Sequence, residues 1–161
     1  MAIRGASPGG AASLRAPADG TTHILRASLK PKLYRDIEMD SAASLSALAD
    51  AITAAFEFEV EHPFGFYSKF DGNYQASPEK YELFADMEDS DSDAASVKQT
   101  AVSKAFAKVG KKMLFVFDYG AEWLFTVELI KIGAKKPGSR YPRLLNSSGD
   151  APEQYPDQDE D

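Results

Sequence analysis

MLFVFDYGAEWLFTVELIKI, residues 113–132, is the stretch whose reading decides the fold. Aromatic and β-branched side chains dominate it, and these fit a pleated surface better than a helix. Met113 to Tyr119 and Glu122 to Ile132 flank Gly120-Ala121, so the segment reads as a β-hairpin. Apolar residues occur on both faces of both arms, the pattern of strands at the centre of a sheet.

Upstream of this hairpin, periods of two and of 3.6 alternate. Val102, Phe106 and Val109 predict a short helix ended by Gly110, where a left-handed cap is easiest. Met87 to Ala95 reads as a long acidic loop, and Tyr81, Leu83 and Phe84 as a short strand. Asp71-Gly72-Asn73 is a turn signal, and Phe64, Phe66, Ser68 and Phe70 alternate as a strand that Pro63 opens. Leu45, Leu48, Ile52, Ala55 and Phe56 fall at helical spacing, with Ser44 or Ser41 available as the cap. Two further strands come first. His23, Leu25, Ala27 and Leu29 share one face, and so do Leu33, Arg35, Ile37 and Met39 in the next strand, with a short Lys30-Pro31-Lys32 link between them. The fold class that follows is α+β: a single domain over residues 21–148, mainly an antiparallel sheet with one or two helices packed on a face.

The composition agrees. A chain of 161 residues, 43% hydrophobic, with ten Phe, seven Tyr and one Trp, supports one domain with a real core and excludes wholesale disorder. With no cysteine, disulfide scaffolds, thiolate metal sites and thiol nucleophiles are excluded, and a reducing cytoplasmic setting fits. No apolar run approaches the roughly 20 residues of a membrane helix, so no membrane partner is expected.

The net charge of −7 is unevenly spread. Residues 149–161 carry six acids and no base, and read as a solvated acidic tail. Residues 1–20 are rich in Ala, Gly, Pro and Ser, without apolar periodicity, and read as a flexible arm with no secretory signal. Between them, residues 21–97 hold six bases and fifteen acids, whereas 98–148 hold ten bases and three acids. Such halves can pair within the domain, oppose each other in a dimer, or offer a basic face to an anionic partner.

Catalytic parts are scarce. His23 sits inside an expected strand and reads as structural, while His62 follows Glu57, Glu59 and Glu61 in a spacing that forms no metal cage. No phosphate-binding glycine loop and no nucleophile elbow occurs. Asp118, Glu122 and Glu128 lie on or beside the hairpin; Asp118 reads either as a turn residue accepting backbone hydrogen bonds or as an acid–base carboxylate. Trp123 reads as a core anchor or as a stacking platform. No cofactor and no metal are expected.

Phe115 to Trp123, continued by Thr126 to Ile130, resembles the Tyr-x-Tyr-Asp-Phe-Gly-Asp-x-Trp-x-His hairpin of the plasmid open-reading-frame-three-like family. Leu33 to Ile37 is similar to that family's Trp-Arg-x-Ile strand, and Leu45 to Phe56, followed by His62 and Phe64, to its helix, His and Phe. Tyr141-Pro142-Arg143 and the segment Gly149 to Tyr155 are similar to its ending. The resemblance implies a compact α+β domain found in bacteria and archaea, often beside mobile elements, whose members are commonly labelled resolvases. A serine recombinase needs a nucleophilic Ser among arginines; Ser7 and Ser13 lie in the low-complexity arm and supply no such setting. Ala121 stands where the family's second turn Asp is usual, Phe125 where His is usual, and Gln154-Tyr155 where Asp-Cys is usual.

The leading expectation is a non-enzymatic binding domain for an unidentified protein or small molecule. Its candidate surface is Asp118, Tyr119, Gly120, Trp123, Lys135, Lys136, Tyr141 and Arg143. Two alternatives are kept. One is a DNA-associated accessory of a mobile element, with residues 98–148 on phosphates. The other is a small hydrolase using Asp118 and Glu122.

Overall fold

Alternation of core-facing and outward side chains carries the chain into a hairpin of β1 (Thr21–Lys30) and β2 (Leu33–Asp40), closed over Pro31-Lys32 as the sequence implies. The computed structural model describes residues 20–85 and 94–155. The expected N-terminal arm, most of the acidic loop and the end of the acidic tail lie outside the described residues.

After β2 the period changes and α1 (Leu45–Ala55) forms, with Ser44 as its cap: the Ser44 side chain accepts a hydrogen bond from the Ala47 amide. Then follow β3 (Phe64–Tyr67), a 3₁₀ turn at Tyr74–Ala76, β4 (Lys80–Glu82), β5 (Ala95–Ser96) and the one-turn α2 (Val102–Ala105). The chain ends in β6 (Lys112–Phe117), β7 (Trp123–Ala134) and β8 (Arg143–Ser148). Eight strands form one sheet in the order β5-β4-β3-β6-β7-β1-β2-β8. Every pairing is antiparallel except β4 with β5, so the sheet is mixed.

Leu48, Ala49 and Ile52 of α1 bury against one face of the sheet, where Leu25, Ala27, Ile37, Met39, Phe115 and Phe125 are fully or almost fully covered. The other face has a smaller core of Tyr67, Tyr74, Leu114 and Val116, with Tyr119 packed on it. β6 lies between these two cores, and all five of its residues from Met113 to Phe117 are buried. That explains the two-faced apolar pattern of its sequence.

Four local expectations are corrected. The hairpin connection is five residues, Asp118 to Glu122, not the two of Gly120-Ala121, and its left-handed positions are Asp118 (φ 65°) and Glu122 (φ 54°). The strand opened by Phe64 stops at Tyr67, and Phe70 is exposed. The strand expected at Tyr81 to Phe84 starts one residue earlier and ends at Glu82. The second helix ends at Ala105, well before Gly110: the Phe106 carbonyl accepts from His23 and the Gly110 amide donates to the Leu129 carbonyl, so the bond that would carry the helix on between them is not made. Gly110 does have positive φ, at 97°, but there it donates to the Leu129 carbonyl at the approach to β6.

His23 is structural, as its place in a strand suggested. Its Nε2 lies 3.0 Å from the Phe106 carbonyl oxygen and its Nδ1 2.7 Å from Ser41 Oγ. A carbonyl only accepts, so Nε2 carries the proton and Ser41 donates to Nδ1. Burial pushes the His23 pKa below its ordinary 6.5, outweighing the backbone hydrogen bonds that raise it. Above 6.5 the ring is neutral in both states and its contribution is complete. As pH falls from there toward the depressed folded value, the unfolded chain takes up a proton that the native chain does not. Stability then falls by at most about 1.4 kcal/mol per pH unit. Urea unfolding at about pH 7.5 and about pH 5.5 should show this loss, with a shallower dependence in His23→Gln. An identical slope in the two proteins would remove His23 as its cause.

Candidate functional site

The turn between β6 and β7 organises one end of the sheet. Asp118 tolerates left-handed backbone because its Oδ1 accepts hydrogen bonds from the amides of Gly120 (3.2 Å) and Ala121 (3.3 Å). Its other oxygen, Oδ2, lies 3.6 Å from His62 Nδ1. His62 Nε2 in turn is 2.6 Å from the Tyr155 hydroxyl. A carboxylate, an imidazole and a phenol thus stand in series. Gln154 fastens the same C-terminal segment: its Oε1 accepts from the Glu59 amide at 2.6 Å, and its Nε2 donates to the Glu59 carbonyl at 3.0 Å. Partial desolvation, then the charges of Glu59, Asp118 and Glu61, push the Tyr155 hydroxyl pKa up.

A second network lies on the face away from α1. Tyr67 donates to Glu82 Oε2 at 2.5 Å and lies 2.8 Å from the Tyr119 hydroxyl, while Tyr74 donates to Glu122 at 2.8 Å. Burial, reinforced by Glu122, raises the Tyr74 pKa to about 12. Burial raises that of Tyr119 to about 12 despite the opposing hydrogen bond from Tyr67. Gly65 makes this convergence possible: a Cβ there would lie 2.7 Å from the Tyr67 hydroxyl oxygen and 2.8 Å from that of Tyr119.

Trp123 is half-buried on the α1 side, its ring centroid 4.8 Å from that of Phe58, and its buried indole Nε1 has no hydrogen-bond partner among the described residues. Phe125, where the resemblance makes His usual, packs fully buried between Phe56 and Phe115.

The candidate residues therefore form two groups. Asp118, Tyr119, Gly120 and Trp123 cluster at the hairpin end. Lys135 and Lys136 lie beyond the other end of the twelve-residue β7, on the order of 40 Å from Trp123 at about 3.3 Å per residue; the Tyr141 hydroxyl joins them, and Arg143 lies on β8, level with Lys131 of β7. There Lys135 pairs with Asp40 at 2.6 Å, Arg143 with Glu38 at 3.2 Å, and the Tyr141 hydroxyl accepts from the Lys136 amide at 3.1 Å. Lys111 also pairs with Glu79, at 3.0 Å, so bases of the basic half meet acids of the acidic half within the domain. His62 and Tyr155 join the hairpin group; the resemblance had marked both positions, but not their contact. Tyr67, Tyr74 and Glu82 carried no sequence signal beyond aromatic content. Among the described residues no group of three or more His, Asp or Glu side chains could hold a metal ion, and no helix is long and apolar enough to cross a membrane.

Comparison with known proteins bears on this geometry. A family model described as plasmid pRiA4b ORF-3-like protein matches residues 22–155. No curated protein matches the chain. The crystal structure of a protein of unknown function, MM3350 from Methanosarcina mazei Go1, is similar with a TM-score of 0.65 and 23% identity, over 79% of this chain and 69% of that one. At that identity the likeness speaks for the fold alone.

Proposed function

The chain belongs to the plasmid pRiA4b ORF-3-like family, and we propose that it is a non-enzymatic protein-interaction domain accepting an extended, acidic segment of a partner along β8. The outer edge of the sheet carries this reading. β8 is the last strand in the sheet order, paired only with β2 among the described strands. Its Leu144 is 52% and its Leu145 40% exposed, an apolar pair on an edge whose free backbone groups can template another strand. Beside it a groove of about 280 Å³ runs between β8 and α1, walled by Ile37, Ala51, Ala54, Ala55, Pro142 and Leu144.

Charge suggests the partner's chemistry. From Lys131 to Arg143 there are five bases and no acid. Lys135 and Arg143 are tied to Asp40 and Glu38, while Lys131, Lys136 and Arg140 are exposed. An acidic segment would be drawn to this field. Pro142 and the register shift opposite Asp36 and Ile37 shorten the usable edge, which limits the added strand to a few residues.

The test is titration of the full chain with acetyl-Asp-Val-Asp-Val-Asp-Val-amide while amide exchange in β8 is followed. The peptide should slow exchange at Leu144 to Ser147. The double variant Leu144→Glu, Leu145→Glu, which alters only exposed side chains, should weaken binding at least about tenfold. Equal binding of the lysine counterpart, or undiminished binding by the variant, would overturn the reading. If duplex DNA binds instead, with affinity falling steeply as salt rises, the DNA-accessory alternative replaces it.

The hydrolase alternative named Asp118 and Glu122; Glu122 accepts from the Tyr74 hydroxyl, and Asp118 stands instead in series with His62 and Tyr155. The Tyr155 hydroxyl group has a raised pKa, set by desolvation and by surrounding carboxylates. That opposes the phenolate a tyrosine nucleophile needs.

A further inference from the structure

A short acidic segment is present in the chain itself. Residues 156–161, Pro-Asp-Gln-Asp-Glu-Asp, follow Tyr155 and carry four acids and no base. When such a segment is extended, Asp157, Asp159 and Asp161 fall on one side at intervals of about 7 Å. Three bases are open to them. Lys131, Lys136 and Arg140 are exposed and make no ion pair among the described residues, whereas Lys135 and Arg143 are held by Asp40 and Glu38. Reach rules out the chain's own Lys136. Tyr155 is held at the hairpin end, its hydroxyl 2.6 Å from His62 Nε2, and Gln154 is fastened to Glu59. Lys136 lies beyond the opposite end of β7, on the order of 40 Å from Trp123. Six extended residues span only about 20 Å.

We infer that residues 156–161 of one copy dock on the basic run Lys131 to Arg143, beside β8 of a second copy, and so join chains head to tail. Resting on the reading of β8 as an edge for an acidic segment, this contact gives that segment a source. The net charge of −7 does not forbid it. Residues 149–161 carry six acids, whereas residues 21–148 hold sixteen bases and eighteen acids and are close to neutral. Opposite charges therefore meet where the contact forms. The two surfaces are different patches of one chain, so the association is heterologous, and each assembly keeps one free donor and one free acceptor.

The experiment is sedimentation of the full chain at low ionic strength over a range of concentrations, with two variants. One neutralises the donor (Asp157→Asn, Asp159→Asn, Glu160→Gln, Asp161→Asn). The other neutralises the acceptor (Lys131→Gln, Lys136→Gln, Arg140→Gln) and alters only exposed side chains. The parent should form dimers and longer species, with association weakened at least about tenfold when salt rises from about 50 to about 300 mM. Each variant alone should stay monomeric. Their equimolar mixture should form a one-to-one dimer and nothing larger, because only one donor then meets one acceptor. A parent that is monomeric up to about 1 mM, or a mixture that stays monomeric there, would overturn the inference. So would self-association persisting in either variant; persistence in the donor variant would point to the acidic stretch Met87 to Ala95 instead. Binding of acetyl-Asp-Val-Asp-Val-Asp-Val-amide by the donor variant, with a monomeric parent, would remove the self-docking and leave the β8 reading intact. Pairing of the two variants without binding of the peptide would remove the β8 reading and keep the basic run as the docking site.

Discussion

Phe115→Ala should destabilise the protein by about 3–5 kcal/mol, the largest loss expected of any single truncation here. Phe115 is fully buried in β6, the strand between the two cores. Its ring centroid lies 4.7 Å from that of Phe66, 5.5 Å from Phe125, 5.7 Å from Phe64 and 6.3 Å from Phe117. Removing it takes one ring from four aromatic neighbours held by three adjacent strands, which cannot close the void without breaking their ladders. Phe115→Leu fills most of the space and should lose less than half as much. Chemical denaturation reads both variants. A loss below about 1 kcal/mol for the alanine variant would mean that the core collapses freely around the gap.

The second large effect is expected at Arg35. Arg35→Met should cost about 2–4 kcal/mol, although methionine suits an apolar face better. The guanidinium is buried, with Nε donating to the Ala55 carbonyl at 3.2 Å and Nη1 to the carbonyls of Tyr34 (2.9 Å) and Ser148 (3.0 Å). Its Cζ also stands 4.6 Å from the Phe56 ring centroid. Ala55 ends α1 and Ser148 ends β8, so one side chain ties helix and edge strand to β2. A cation at the negative end of the α1 dipole adds to the effect. Methionine would leave these carbonyls without their donor. Arg35→Lys should recover only part of the loss, because a single ammonium cannot span carbonyls set around a planar fork. A methionine variant as stable as the parent in urea would show that water or a shifted backbone replaces the clasp.

Arg35 also shows where sequence patterning stops. Strand periodicity placed it on one face with Leu33, Ile37 and Met39, and the structure has it there, buried. Periodicity could not say what a charge does on that face, because its partners come from residues twenty and 113 positions away. Asp118 makes the same point at the candidate site. Its bonds to Gly120 and Ala121 are local, and the turn reading was available from sequence. Its approach to His62, and that of His62 to Tyr155, depend on β6 pairing with β3 and on the C-terminal segment crossing back to Glu59. The short second helix failed for a related reason: Val102, Phe106 and Val109 have helical spacing, but the Phe106 carbonyl is taken by His23 and the Gly110 amide by the Leu129 carbonyl, and the helix ends at Ala105.

By itself the sequence determined the α+β class, the central hairpin, the first hairpin, α1 with its Ser44 cap, and the structural reading of His23. Each follows from periodicity or capping within about a dozen residues, where sterics and burial act on neighbours along the chain. Tertiary structure alone decided that the candidate residues split into two groups at opposite ends of β7. It alone placed β8 at the edge of the sheet among the described strands, and it alone joined Tyr67, Tyr119 and Glu82 around Gly65. The physical reason is that strand order and register are set by which buried faces pack best over the whole sheet, and no local pattern in the chain encodes that sum.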